Sequence, residues 1–125
     1  MSTAIRLEHI GIGAPRDRYE ETIRFYERVF GWHRIKENPG DFMFVGDGHG
    51  GRLEILARDA APLPMPHHLA FVVDREQYES IAATLRAEGV AREPTTSVFG
   101  DTLLFFNDPA GNMAQLVLRT EPLAP

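Results

Sequence analysis

Four side chains stand out for the chemistry their types allow together: His9, Glu54, His68 and Gln115. Each sits in a short segment of alternating apolar residues, and a period of two sorts such a segment into two faces. In 52–57 (RLEILA) Leu53, Ile55 and Ala57 share a face and Glu54 takes the other. In 67–73 Leu69, Phe71 and Val73 share a face with His67, opposite His68. In 113–119 Ala114, Leu116 and Leu118 share a face opposite Gln115, and in 4–12 Ile10 and Ile12 lie opposite His9. Two imidazoles, a carboxylate and an amide oxygen suit a divalent metal such as Zn, Ni, Mn, Fe or Co better than Ca. Two His and one carboxylate are also the composition of the non-haem iron facial triad. Taken singly, each residue has a bland reading: a hydrogen-bonded strand histidine, a solvated strand carboxylate, an unremarked amide. Their equivalent positions in the chain change that.

The elements that must position them fall into two similar runs. Segment 4–12 (AIRLEHIGI) reads as a strand, and 17–30 as a helix with Tyr19, Ile23, Tyr26 and Phe30 on one face. Asp17 and Glu20 sit near the helix start, where its dipole favours acids, and Gly31 can close its end. Strand candidates follow at 32–36, 41–46 and 52–57, separated by Asn38-Pro39-Gly40 and the glycine-rich 47–51. Segment 58–66, with three prolines, reads as a linker. The pattern then restarts. A strand is expected over 67–73 and a helix over 74–88 with Tyr78, Ile81, Ala82 and Leu85 inward, closed by Gly89. Strands are expected over 90–93, 101–107 and 113–119, with a tight turn at 108–112 (DPAGN). His9 and His68 are 59 positions apart, as are Tyr19 and Tyr78, and Glu20 and Glu79; Gly31 and Gly89 are 58 apart. The chain therefore reads as one strand–helix–strand–strand–strand module written twice: module one over 4–57, a linker over 58–66 and module two over 67–119. A module of this size is marginal alone, so both are expected to share one domain spanning 1–125.

Composition narrows the function classes. The chain has 125 residues, 43% hydrophobic and 25% charged, which is an ordinary globular balance. It has no cysteine, so disulfides, thiolate nucleophiles and cysteine-ligated metals are excluded. A net charge of −5 disfavours nucleic acid and anionic lipid as partners. No apolar run approaches a membrane span, and no basic-then-apolar leader opens the sequence, so a cytoplasmic location is expected. Gly11-Ile12-Gly13 lacks the third glycine of a phosphate loop, and no serine nucleophile elbow occurs. His67 reads as structural, His49 as an exposed turn residue and Trp32 as core. Arg52 and Arg119 share faces with Glu54 and Gln115, where either can hold an anionic substrate group or remain a solvated charge.

LEHIGI, RFYERVFGW, RLEIL, HHLAFVVD and NDPAGNMAQLVL together resemble the vicinal oxygen chelate superfamily, with the FYERVFGW helix end and the DPAGN turn the most specific parts. That superfamily includes glyoxalase I, fosfomycin-resistance proteins, extradiol dioxygenases, methylmalonyl-CoA epimerase and bleomycin-resistance proteins. The resemblance runs from about Ile5 to Leu118. It implies an α+β fold in which two βαβββ modules make a cupped eight-stranded mixed sheet with helices outside. It implies one divalent metal ligated by His9, Glu54, His68 and Gln115, the last standing where metal-using members usually carry Glu. It further implies a small substrate with adjacent oxygens chelated by the metal, as in a lyase, isomerase or dioxygenase, with Glu54, if displaced from the metal, as the proton-transferring base. The 95–100 segment (TTSVFG) resembles a loop that closes over substrate through Phe99. A homodimer is expected, since open strand edges invite a partner copy. The alternative is a metal-free protein that sequesters a small molecule, as bleomycin-resistance proteins do.

Overall fold

A computed structural model describes residues 7–59, 61–63 and 66–124. The chain divides into two compact units, Met1–Ala61 and Pro62–Pro125.

The first unit runs β1 (Ile10–Ala14), α1 (Tyr19–Phe30), β2 (His33–Asn38), β3 (Phe42–Gly46) and β4 (Arg52–Ala57). Its strands form a mixed sheet in the order β1-β4-β3-β2, with β1 parallel to β4 and the other pairs antiparallel. Alternation works here as the sequence suggests. Leu53, Ile55 and Ala57 of β4 are buried with Ile12 and Ala14 of β1 and Met43 and Val45 of β3. Against this face packs α1, whose buried side chains are Thr22, Ile23, Phe25 and Tyr26. Thr22 and Phe25 thus join the inward face, while Tyr19 and Phe30 are only half-buried. The Thr22 hydroxyl is tolerated there because it donates to the Arg18 carbonyl oxygen at 2.7 Å. Gly31 ends the helix at φ +69°, a left-handed conformation glycine adopts without a Cβ penalty. β1 starts later than expected, at Ile10; the expected strand residues 4–6 lie outside the described residues.

The second unit repeats the order: β5 (Leu69–Val72), α2 (Arg75–Ala87), β6 (Thr95–Thr96), β7 (Thr102–Asn107) and β8 (Met113–Leu118). The sheet order is β5-β8-β7-β6, again with the outer pair parallel. Asp74 caps α2 by accepting from the Gln77 backbone N–H, while the Gln77 side chain accepts from the Asp74 N–H. Tyr78, Ala82 and Leu85 are buried, and Ile81 is half-buried. The 108–112 turn is held by Asp108 Oδ1, which accepts from the backbone N–H groups of Ala110 and Asn112. Asn112 Oδ1 in turn accepts from the Leu63 N–H, fastening part of the linker to this unit.

Three expectations need correction. The strand expected over 90–93 is reduced to one bridge, Ala91 to Phe106, and Pro94 has no N–H to donate to a longer ladder. Thr95 and Thr96, expected in a loop, instead form β6 against β7. His67, expected on the apolar face, is exposed and lies before β5. Among the described residues no helix is long and apolar enough to cross a membrane.

Candidate functional site

Sheet register places the candidate residues in two matched arrangements, one in each unit. In the first, Glu54 of β4 pairs with Gly11 of β1 on one side and Phe44 of β3 on the other. His9 lies two residues before Gly11, on the same face by alternation. Its Nε2 is 3.7 Å from Glu54 Oε1, beyond a direct hydrogen bond, and both side chains are partly exposed. The Phe44 ring meets the His9 ring edge-on at 5.0 Å between centroids, and Phe42 stands edge-on to Phe44 at 5.7 Å. A Cβ at Gly11 would make ordinary contacts, 3.4 Å from Leu56 Cδ1 and 3.6 Å from Glu54 Oε1.

In the second unit, Gln115 of β8 pairs with Ala70 of β5 and Phe105 of β7. His68 lies two residues before Ala70, and its ring meets Phe105 at 5.8 Å and 71°. The two arrangements therefore match residue for residue: His9 with His68, Gly11 with Ala70, Glu54 with Gln115 and Phe44 with Phe105. They differ in burial. β4 alternates between buried and half-buried residues, whereas β8 is buried on both faces from Met113 to Val117, leaving Gln115 only 6% exposed.

The donor types fit a divalent metal. His9 Nδ1 lies 3.0 Å from Glu8 Oε1, and His68 Nδ1 lies 2.6 Å from the Pro66 carbonyl oxygen. Both oxygens only accept, so a neutral ring carries its proton on Nδ1 and keeps the Nε2 lone pair for a ligand. Among the described residues no three His, Asp or Glu side chains gather into a metal-holding group; the donors stand as one pair per unit.

The remaining candidates have structural partners. Arg52 Nη1 donates to the Glu8 carbonyl oxygen at 3.2 Å, with the Gly50 carbonyl oxygen at 3.5 Å. Arg119 Nη1 donates to Asp101 Oδ2 at 2.9 Å. Asp101 is 2% exposed, and it also accepts from the Thr120 N–H and the Ser97 hydroxyl. These contacts hold its carboxyl below the ordinary carboxylate range, the Thr120 N–H contributing most, then Ser97, with Arg119 adding to them. Phe99, 76% exposed, lines a pocket of about 470 Å³ with Arg119, Thr120 and Leu123. His49 is exposed in the 47–51 turn, and Trp32 is half-buried beside Tyr26 and Phe30.

Alternation alone misses Phe44, Phe105 and Glu8. A signal for the phenylalanines does exist: Phe44 and Phe105 are 61 positions apart, the same offset that separates Glu54 from Gln115.

Two βαβββ modules, each with a His just before its first strand and an acid or amide on its last, define the fold class. The chain belongs to the Glyoxalase/Bleomycin resistance protein/Dioxygenase superfamily, whose family model matches residues 6–116. Solved structures agree on the fold. Lactoylglutathione lyase from Agrobacterium tumefaciens superposes with a TM-score of 0.71 at 20% identity, covering 94% of this chain and 96% of that one. A variant of the fosfomycin resistance protein FosX from Listeria monocytogenes, complexed with Mn(II) and 1S,2S-dihydroxypropylphosphonic acid, gives 0.79 at 18% identity over 94% and 95%. The oxidase ChaP-H1 gives 0.75 at 22% identity over 93% and 97%. No curated protein matches the sequence.

Proposed function

We propose that this protein is a metal-dependent enzyme of lyase, isomerase or dioxygenase type, acting on a small substrate with adjacent oxygen atoms. His9, Glu54, His68 and Gln115 supply the ligands of its divalent metal. The observation carrying this reading is the matched pair of His residues, each with Nδ1 within hydrogen-bond distance of an accepting oxygen. A metal held by these residues would supply Lewis-acid polarisation of the substrate oxygens. Glu54, partly exposed, would move the proton as general base once displaced from the metal. Phe42 and Phe44 provide an apolar wall beside it that limits water. Arg52, Phe99 and Arg119 are the proposed substrate contacts, the last two sharing one pocket. The protein works as a homodimer in the cytoplasm.

Elemental analysis of protein purified without a metal-affinity tag tests this reading. Near-stoichiometric divalent metal that disappears in both His9→Ala and His68→Ala is the expected result. A second reading, a metal-free small-molecule binder, is favoured by the amide at Gln115 where a carboxylate would bind metal more strongly. Metal-supplemented protein that shows no binding heat near neutral pH would replace the first reading with the second.

A further inference from the structure

The two candidate histidines are held at Nδ1 by acceptors of different character. His68 Nδ1 lies 2.6 Å from the Pro66 peptide oxygen, a neutral acceptor fixed by the backbone. His9 Nδ1 lies 3.0 Å from the side chain of its own neighbour, Glu8, an anionic acceptor. Arg52 Nη1 donates to the Glu8 carbonyl oxygen, tying this stretch to the β4 residue two positions before Glu54. Phe44 meets the imidazole edge-on, which restricts its remaining rotation. Glu8 and Phe44 thus hold the His9 ring so that Nε2 faces Glu54 Oε1 at 3.7 Å.

We propose that Glu8 is the positioning residue of His9: its carboxylate fixes the Nδ1–H tautomer and leaves Nε2 as the lone-pair donor beside Glu54. An anionic acceptor on the far nitrogen also strengthens an imidazole as a ligand. His9 is therefore the stronger and His68 the weaker of the two imidazole donors. That consequence rests on the metal-dependent reading; the tautomer assignment does not.

The test reads the tautomer first, without metal. Long-range proton–nitrogen correlation spectra of metal-free protein distinguish Nδ1–H from Nε2–H imidazole for His9 and His68. Both should be Nδ1–H in the native protein. Glu8→Ala should move His9 toward Nε2–H and leave His68 unchanged. Glu8→Gln, whose amide oxygen still accepts, should restore Nδ1–H. Calorimetric titration with Zn(II) should then show roughly tenfold weaker binding for Glu8→Ala, with Glu8→Gln between it and the native protein. An Nε2–H His9 in the native protein, or a tautomer unchanged in Glu8→Ala, overturns the proposal. So does Zn(II) affinity unaltered by Glu8→Ala. If the native protein binds no metal while Glu8→Ala still switches the tautomer, the metal reading fails and the positioning role stands.

Discussion

Gln115 and Glu54 occupy matched register positions, yet one is a buried amide and the other a partly exposed carboxylate. That difference makes Gln115→Glu informative. If Gln115 is a metal ligand, the change adds a negative charge within coordination distance of a dication. Metal affinity should then rise by roughly tenfold, about 1.4 kcal/mol, and added Zn(II) or Mn(II) should raise the melting temperature more than in the native protein. Without a metal, the new carboxylate is a charge placed where only 6% of the residue is exposed. Burial raises its folded pKa above the unfolded value, so the variant is destabilised above about pH 4.3 and recovers below it. A loss at neutral pH that added metal leaves untouched removes Gln115 from the ligand set. The facing of all four candidates is legible from period-two alternation, because each lies in or beside a short apolar strand. Phe44, Phe105 and Glu8 are harder to read: the first two acquire their role from cross-strand register, which depends on residues far along the chain, and Glu8 acts through a side-chain rotamer.

At the level of elements, legibility follows how local the determining interactions are. The β4 strand coincides with its expected span, 52–57, because its alternation is strict and Gly51 precedes it. Gly31 and Gly89, at φ +69° and +72°, close or follow the helices where the sequence places them. Segment 90–96 is misread because a two-residue strand has too little pattern to outweigh the neighbouring proline. The two-sided burial of β8 is equally invisible, since alternation reports one face only. The turn after β6 contains a further device. Asp101 joins Ser97, Arg119 and the Thr120 backbone, linking the β6–β7 turn to the segment after β8. Its carboxyl is depressed in the folded protein, so the unfolded chain binds more protons between that folded value and about pH 3.9. Stability from this residue is therefore complete above about pH 3.9 and is lost as the pH falls through the folded value. Asp101→Asn should melt at a lower temperature than the native protein at pH 7, and the gap should narrow on acidification. Melts from pH 7 to pH 2 check this; a gap constant with pH would show that the charge of Asp101 contributes nothing.

For the whole molecule, the sheet edges bear on assembly. Each sheet has one edge strand with evident protection: β2 is exposed throughout and carries His33, Arg34, Lys36 and Glu37, and β6 is only two residues long. The opposite edge strands, β1 and β5, contain no charged residue or proline, and they expose Ile10 at 40% and Val72 at 75%. Edge strands that expose apolar side chains are templates for pairing, which is the physical basis for the homodimer proposed above. Sedimentation should give a mass twice the 14.0 kDa of one chain at working concentrations. Val72→Lys places a charge on the β5 edge without touching the buried face, so it should shift the population toward single chains while the fold, read by circular dichroism, stays intact. A native protein that sediments at 14.0 kDa contradicts the dimer outright. A dimer equally stable in Val72→Lys would instead move the interface away from β5, because a lysine cannot be buried against a partner copy without a substantial desolvation penalty.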